Sequence, residues 1–487
     1  MSQKNHRRKP LPASTNRDSL LGLRDWFLPD SSIFAALRPH GNTVWLPVSL
    51  VWMSLIWSWS ESRNLTDAFT EAARQFRSLQ PEAMVTTYQG FMYALGRWTP
   101  LLMPILLGVL HQRMEQVGSR FWRIGPWVPI AFDGSRNTTP RTVANETAFC
   151  AKNYGRGNRA KYGKKKSRGM RRAKNKKNPC SAPQPQVWIT LLWHMGLRLP
   201  WMWRLGPSNS SEREHVMEMV KTGCFAAFTL FCGDAGFVGF PLWSRILDSN
   251  CDFLVRVGAN VTLLSESADW RFEGDKREGL VLCWPKAVMD KDQPPLRLRL
   301  MRVQIGKARV WLLTSVLNPA ELTIKQATRL YQMRWGIEVE FRGLKQTLDR
   351  AKLRCRNDRR LLVELDWSIL GMAVAKLFAL KEQLSARRPE EKANEPPADP
   401  AKLSLAGTMR ALREALRYPD DVSRKGQDLS SRLGAAVIDS YTRKAKKAAR
   451  YRPKNPDKKA LGDPKLRQIN DEEREKLREI ESKTTPE

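Results

Sequence analysis

Apolar residues recur at Leu330, Met333, Ile337, Phe341, Leu344 and Leu348, the spacing of one buried helical stripe. At about 100° per residue, a single helix over 330–350 puts that stripe between about 200° and 280° from Tyr331. Arg334, Glu338 and Lys345 then share an arc from about 300° to 340°, on the flank of the stripe. Upstream the period changes. Residues 127–132 (WVPIAF) and 226–232 (AAFTLFC) are short apolar runs, each leading to an aspartate beside glycine, Asp133 before Gly134 and Asp234 after Gly233. They read as buried strands whose ends carry a carboxylate into a crevice. Aspartate also favours turns for ordinary hydrogen-bonding reasons, so each alone is weak evidence.

Further strands are expected at 187–193, 201–205 and 252–257, and helices at 211–221 and 241–248, the first capped by Ser210 or Ser211. Three strands, a helix, a strand, a helix and a last strand is the order of a ribonuclease-H-like α/β fold. Residues 258–318 then alternate as short strands, a β-rich insertion in which Arg297, Arg299 and Arg302 suit solvent or DNA. Trp270 and Trp284 in this insertion are expected in the core rather than stacked on an unpaired base.

The first part of the chain reads differently. Residues 1–30 are polar and basic and are expected as a disordered arm. Residues 31–120 are expected as an all-helical domain. Its run at 44–59 is shorter than the about 20 apolar residues of a membrane span, and Pro47 lies inside it, so it predicts a buried helix. A second apolar segment runs from 98 to 110. The catalytic domain is placed at 121–382, closed by a helix over 361–380. A charged, proline-rich linker covers 383–402. In the basic region 403–487, a short helix over 403–416 precedes a tail expected to be largely disordered.

Charge changes the picture. A net charge of +34 demands a polyanionic partner, and nucleic acid leads. A merely basic structural protein is excluded by 42% hydrophobic residues and 18 tryptophans. The basic loop 152–179, with Lys164, Lys165, Lys166, Arg171 and Arg172, has almost no apolar residues and interrupts the first two strands. Such like charges repel unless an anion neutralises them, which points to phosphate binding; Arg136 extends the patch. The 7 cysteines form no CxxC pair, and no secretory leader is expected, which argues for a reducing cytoplasm.

Asp133, Asp234 and Glu338 make a set of carboxylates able to hold a pair of divalent ions for phosphoryl transfer. The bland alternative is a solvated helix with Arg334–Glu338 and Glu338–Arg342 pairs. The spacing Tyr331-x2-Arg334-x3-Glu338-x6-Lys345 resembles the Tyr-Arg-Glu-Lys signature of DDE transposases from bacterial insertion sequences, in the IS-four-type family. That resemblance, over about residues 128–376, implies a cut-and-paste transposase with Asp133, Asp234 and Glu338 as catalytic metal ligands. It implies two Mg²⁺ ions, with Mn²⁺ as substitute, and DNA phosphates held by Tyr331, Arg334 and Lys345. It further implies that the helical domain 31–120 binds the transposon ends, and that a homodimer on double-stranded DNA excises through hairpin ends, in the bacterial cytoplasm and away from membranes. A metal-dependent nuclease with the same core, or a non-catalytic repressor derived from a transposase, is the alternative.

Overall fold

The computed structural model describes residues 15–38, 43–150, 185–267, 277–306, 308–385, 398–421, 428–438 and 461–484, which divide into two compact units. The basic loop from Lys164 to Arg172 and Trp270 lie outside the described residues. In chain order, helices α1 (Asn16–Phe27), α2 (Pro47–Trp59), α3 (Leu65–Leu79) and α4 (Tyr88–Trp122) precede strand β1 (Val128–Thr138) and helix α5 (Val143–Phe149). Strands β2 (Gln186–His194) and β3 (Leu199–Gly206), helix α6 (Glu212–Thr222), β4 (Thr229–Gly233), α7 (Phe240–Asp248) and β5 (Asp252–Val257) follow. Strands β6 (Thr262–Ser265), β7 (Glu278–Cys283), β8 (Leu296–Ile305) and β9 (Ala308–Thr314) come next. Helices α8 (Ile324–Met333), α9 (Gly336–Arg342), α10 (Asp358–Ser385), α11 (Leu405–Arg417) and α12 (Leu429–Gly434) lead to β10 (Lys465–Gln468) and α13 (Asp471–Thr484).

The first unit holds residues 1–119, 138–148 and 342–439 and is helical. Pro47 starts α2, where its missing N–H costs nothing, and every residue from Leu50 to Trp59 is buried. A helix apolar all round belongs in a core, and α10 covers it. Trp59 Nε1 donates to the Gly371 carbonyl at 2.8 Å, and Phe378 meets the Trp59 ring edge-on. The helix expected to close the catalytic domain therefore packs in this helical unit. α4 covers the expected apolar segment 98–110 and extends it at both ends, with Pro100 and Pro104 inside and a kink at the non-helical Gly118. It is long and apolar enough to cross a membrane by length and composition alone, yet Leu95, Leu102, Leu106 and Leu110 are fully buried in the protein.

The N-terminal arm needs correcting. Thr15 and Asp18 form a reciprocal capping box, and α1 buries Leu20, Leu23 and Phe27. Only residues 1–14 of that arm lie outside the described residues. A polar composition hid a short amphipathic helix.

The second unit holds residues 120–137, 149–341 and 440–487, and its centre is a ten-stranded sheet ordered β10-β6-β7-β8-β9-β5-β4-β1-β2-β3. β1, β4 and β5 run parallel and β2 pairs antiparallel with β3, an arrangement consistent with a ribonuclease-H-like core. The insertion continues the same sheet, because β9 pairs antiparallel with β5. β5 has the expected span, and α6 begins after Ser211, whose hydroxyl caps it.

The end of the chain is also ordered. β10 pairs parallel with β6, and α13 packs Leu477 and Ile480 against Leu264, Leu282 and Trp284. Trp284 is thus a core residue, its indole N–H donating to the Gln293 carbonyl. Arg297 is bonded to Glu266 and Glu481, and Arg299 is buried, donating to the Leu322 carbonyl. Arg297 and Arg299 therefore serve the fold rather than one open charged face. Their strand pattern was legible; the partners arrive from far along the chain.

Candidate active site

The first carboxylate stands on β1. Ala131 and Cys232 are paired across the parallel β1–β4 ladder, and the same register two residues on sets Asp133 beside Asp234. Side chains two apart share a face, so both carboxylates leave the sheet on one side. Asp234 lies just past β4, where its side chain accepts the Gly236 N–H at 2.8 Å.

β1 does not end at Asp133. It runs on to Thr138, and Gly134 is extended strand rather than a turn. A Cβ at 134 would stand 2.6 Å from Glu212 Cδ, so any larger residue would displace that side chain. Glu212, the first residue of α6, therefore lies against the backbone that carries Asp133.

The signature segment is not one helix. α8 ends at Met333, α9 starts at Gly336, and residues Gly343–Thr347 form a π-helical turn. A Cβ at 336 would meet Trp193 Cζ3 at 2.9 Å and Arg198 Nη1 at 2.5 Å, so glycine lets α9 lie directly on β2. The break and the π turn reset the angular phase that grouped Lys345 with Glu338. Lys345 belongs to the helical unit, where burial lowers the pKa of its ammonium. The apolar stripe survives these breaks: Leu330, Ile337, Phe341, Leu344 and Leu348 are buried.

Arg334 ends α8 and is only 4% exposed. Its Nη1 lies 3.7 Å from Asp133 Oδ2, while its Nε and Nη1 make no hydrogen bond. The guanidinium lies over the rings of Tyr331 and Trp335, at 5.5 and 5.8 Å from their centroids. Tyr331 is buried. The expected phosphate clamp thus turns towards a carboxylate. Glu338, in the first turn of α9, forms no ion pair with Arg334 or Arg342, so the bland helix-face pairing is absent.

Electrostatics tie these groups together. Burial raises the pKa of Asp133 to about 6, against a bond from the Gly134 N–H and the Arg334 charge; Asp234 and Glu338 push it further up. Glu212 is raised to about 7, by burial and then by Asp133 and Asp234, with Arg136 opposing. Arg136 is exposed, its guanidinium 4.0 Å over the Trp188 ring. Asp133, Asp234, Glu338 and Glu212 thus share one negative field.

This donor set fits a divalent cation by chemistry: hard carboxylate oxygens whose mutual repulsion a metal relieves. Among the described residues, no three His, Cys, Asp or Glu side chains are already gathered at metal-binding spacing.

Glu212 escaped the sequence reading because an acid in a first helical turn is ordinarily a complement to the helix dipole. The glycine after Asp133 was the available signal. If Glu212 supports the site, Glu212→Gln should lower Mg²⁺-dependent cleavage about 10- to 100-fold, the scale of losing an outer carboxylate around a metal. A Mg²⁺ titration of cleavage checks this, and a dipole complement alone would leave the curve in place.

Residues 192–371 match the family model of the transposase DDE domain, a span that contains Asp234, Tyr331, Arg334, Glu338 and Lys345 and begins beyond Asp133. No curated protein matches the chain. Among solved structures, the cryo-EM structure of the piggyBac transposase synaptic complex with hairpin DNA is similar at 12% identity and a TM-score of 0.37, over 82% of this chain and 80% of that one.

Proposed function

We propose that the protein is a cut-and-paste DNA transposase of the IS-four-type, moving a bacterial insertion sequence and acting as a homodimer on paired ends in the cytoplasm. The observation that supports the reading is the β1–β4 register that sets Asp133 beside Asp234, with Asp234 and Glu338 each acting on the Asp133 carboxyl to raise it. The transposase DDE domain match over residues 192–371 supports the same class.

Asp133, Asp234 and Glu338 would hold two Mg²⁺ ions, or Mn²⁺ in their place. Such ions, when bound, stabilise the attacking and leaving oxygens of an in-line phosphoryl transfer. Arg334 has a different part from a direct phosphate clamp: buried beside Asp133, it keeps that carboxylate ionised and oriented. Tyr331 supports the guanidinium from beneath. Arg136, Lys345 and the loop residues Lys164, Lys165, Lys166, Arg171 and Arg172 would hold DNA phosphates.

The test is cleavage of duplexes carrying the candidate ends. It should require Mg²⁺ or Mn²⁺ and fail with Ca²⁺ alone, which takes longer and looser oxygen coordination. Full cleavage in excess chelator would overturn the metal assignment.

A further inference from the structure

A second cationic site lies wholly within the helical unit. Arg63, Arg354, Arg356 and Arg360, with Tyr88 and Asn357, line a cavity of about 520 Å³. Four guanidiniums around one cavity repel each other unless an anion enters. Asp349 answers only two of them, at 3.5 Å from Arg63 and 3.0 Å from Arg354. Arg356 and Arg360 have no carboxylate partner among the described residues.

The site is built rather than incidental. Glu364, fully buried, accepts the backbone N–H groups of Arg354 and Cys355 at 3.1 and 2.9 Å. Asn145 Nδ2 donates to the Cys355 carbonyl at 3.1 Å, and the Thr142 hydroxyl donates to the Arg356 carbonyl at 2.7 Å. The chain bearing Arg354 and Arg356 is therefore fixed from two sides before any ligand arrives. Three helices also begin at this cavity: α3 at Leu65, α4 at Tyr88 and α10 just after Asn357. Asn64, Thr87 and Asn357 side chains each cap one N–H of these ends, whose dipoles still add partial positive charge. Burial raises the Tyr88 hydroxyl well above its ordinary range, so it remains a donor.

We infer that this cavity is a binding site for the phosphodiester backbone of DNA, separate from the carboxylate site and built into the helical unit. Guanidinium forks match phosphate oxygens in pairs, and the cavity gathers four of them, with Arg354 held by the Ser62 carbonyl and Asp349. The inference rests on the reading of the protein as one that acts on DNA.

The experiment measures duplex affinity of the full chain across a KCl series, for wild type and the Arg356→Ala/Arg360→Ala double variant. Two lost contacts should reduce the log–log salt slope by about 1.8. The Arg356→Lys/Arg360→Lys variant keeps the charges and should keep most of the slope, which separates charge from structure; thermal melting confirms that each variant folds. A steep slope retained in the alanine variant overturns the site while leaving the DNA reading intact. Wild type that binds no duplex overturns both. Replacing chloride by inorganic phosphate at matched ionic strength tests a free-anion pocket: phosphate that competes in wild type only, with the duplex slope unchanged by the variant, would overturn the DNA assignment.

Discussion

Glu338→Gln is expected to remove DNA strand cleavage while leaving duplex binding nearly unchanged. Glu338 is half-buried in the first turn of α9 and shares its field with Asp133. The amide keeps the shape of the side chain and removes one negative charge from the proposed metal donors. Losing one preorganised charge-stabilising group costs about 10²- to 10³-fold in rate. Binding should hold, or tighten slightly, because a negative charge near phosphate disappears. The alternative, an ordinary helix-face acid paired with Arg334 and Arg342, predicts about 0.5 kcal/mol of lost stability and persistent cleavage. The structure already denies that alternative its pairs, since Arg334 turns to Asp133. Gel-shift and cleavage assays on the one variant, with circular dichroism for the fold, read both quantities.

Gly336→Ala should cost stability and cleavage together. The new Cβ would clash with the Trp193 ring at Cη2, and Trp193 is 1% exposed, so its ring has nowhere to go. Arg198, at the other side, has a positive φ of 61° and its guanidinium already lies over that ring. Overpacking of this kind costs about 1–3 kcal/mol. α9 must lift from β2 to relieve it, and Glu338, two residues on, moves with the helix. Cleavage should therefore fall by more than the folded fraction does, since an ångström-scale misplacement of a catalytic group costs about 10²-fold. Gly22→Ala in α1 is the contrast: nothing lies within 4 Å of its Cβ position, and the change should stabilise by up to about 1 kcal/mol. Thermal melting of the two variants against the cleavage rate of the first decides it.

Much of this was legible in the chain, because burial alternates with local period. The apolar runs before Asp133 and after residue 226 announce β1 and β4, and the buried stripe from Leu330 to Leu348 announces the helical segment. What local period does not carry is any contact between distant stretches. Gly134 looks like a turn and is a space for Glu212. Arg334 looks like an open clamp and is sealed beside Asp133. A π turn holds Lys345, and angular counting on an ideal helix fails through it. The tail was read by its lysines, whereas β10 and α13 are held by the apolar Ile469, Leu477 and Ile480.

A cut-and-paste transposase both cuts and rejoins DNA. The direct measurement is incubation of the protein with Mg²⁺ and a supercoiled plasmid bearing the candidate inverted ends that flank its gene, with products resolved by gel and sequenced. Excision at the ends and joining of the excised segment to target DNA are expected, both absent with Asp133→Asn. Cleavage without joined product would contradict the transposase reading in favour of a nuclease, and binding without cleavage in favour of a repressor.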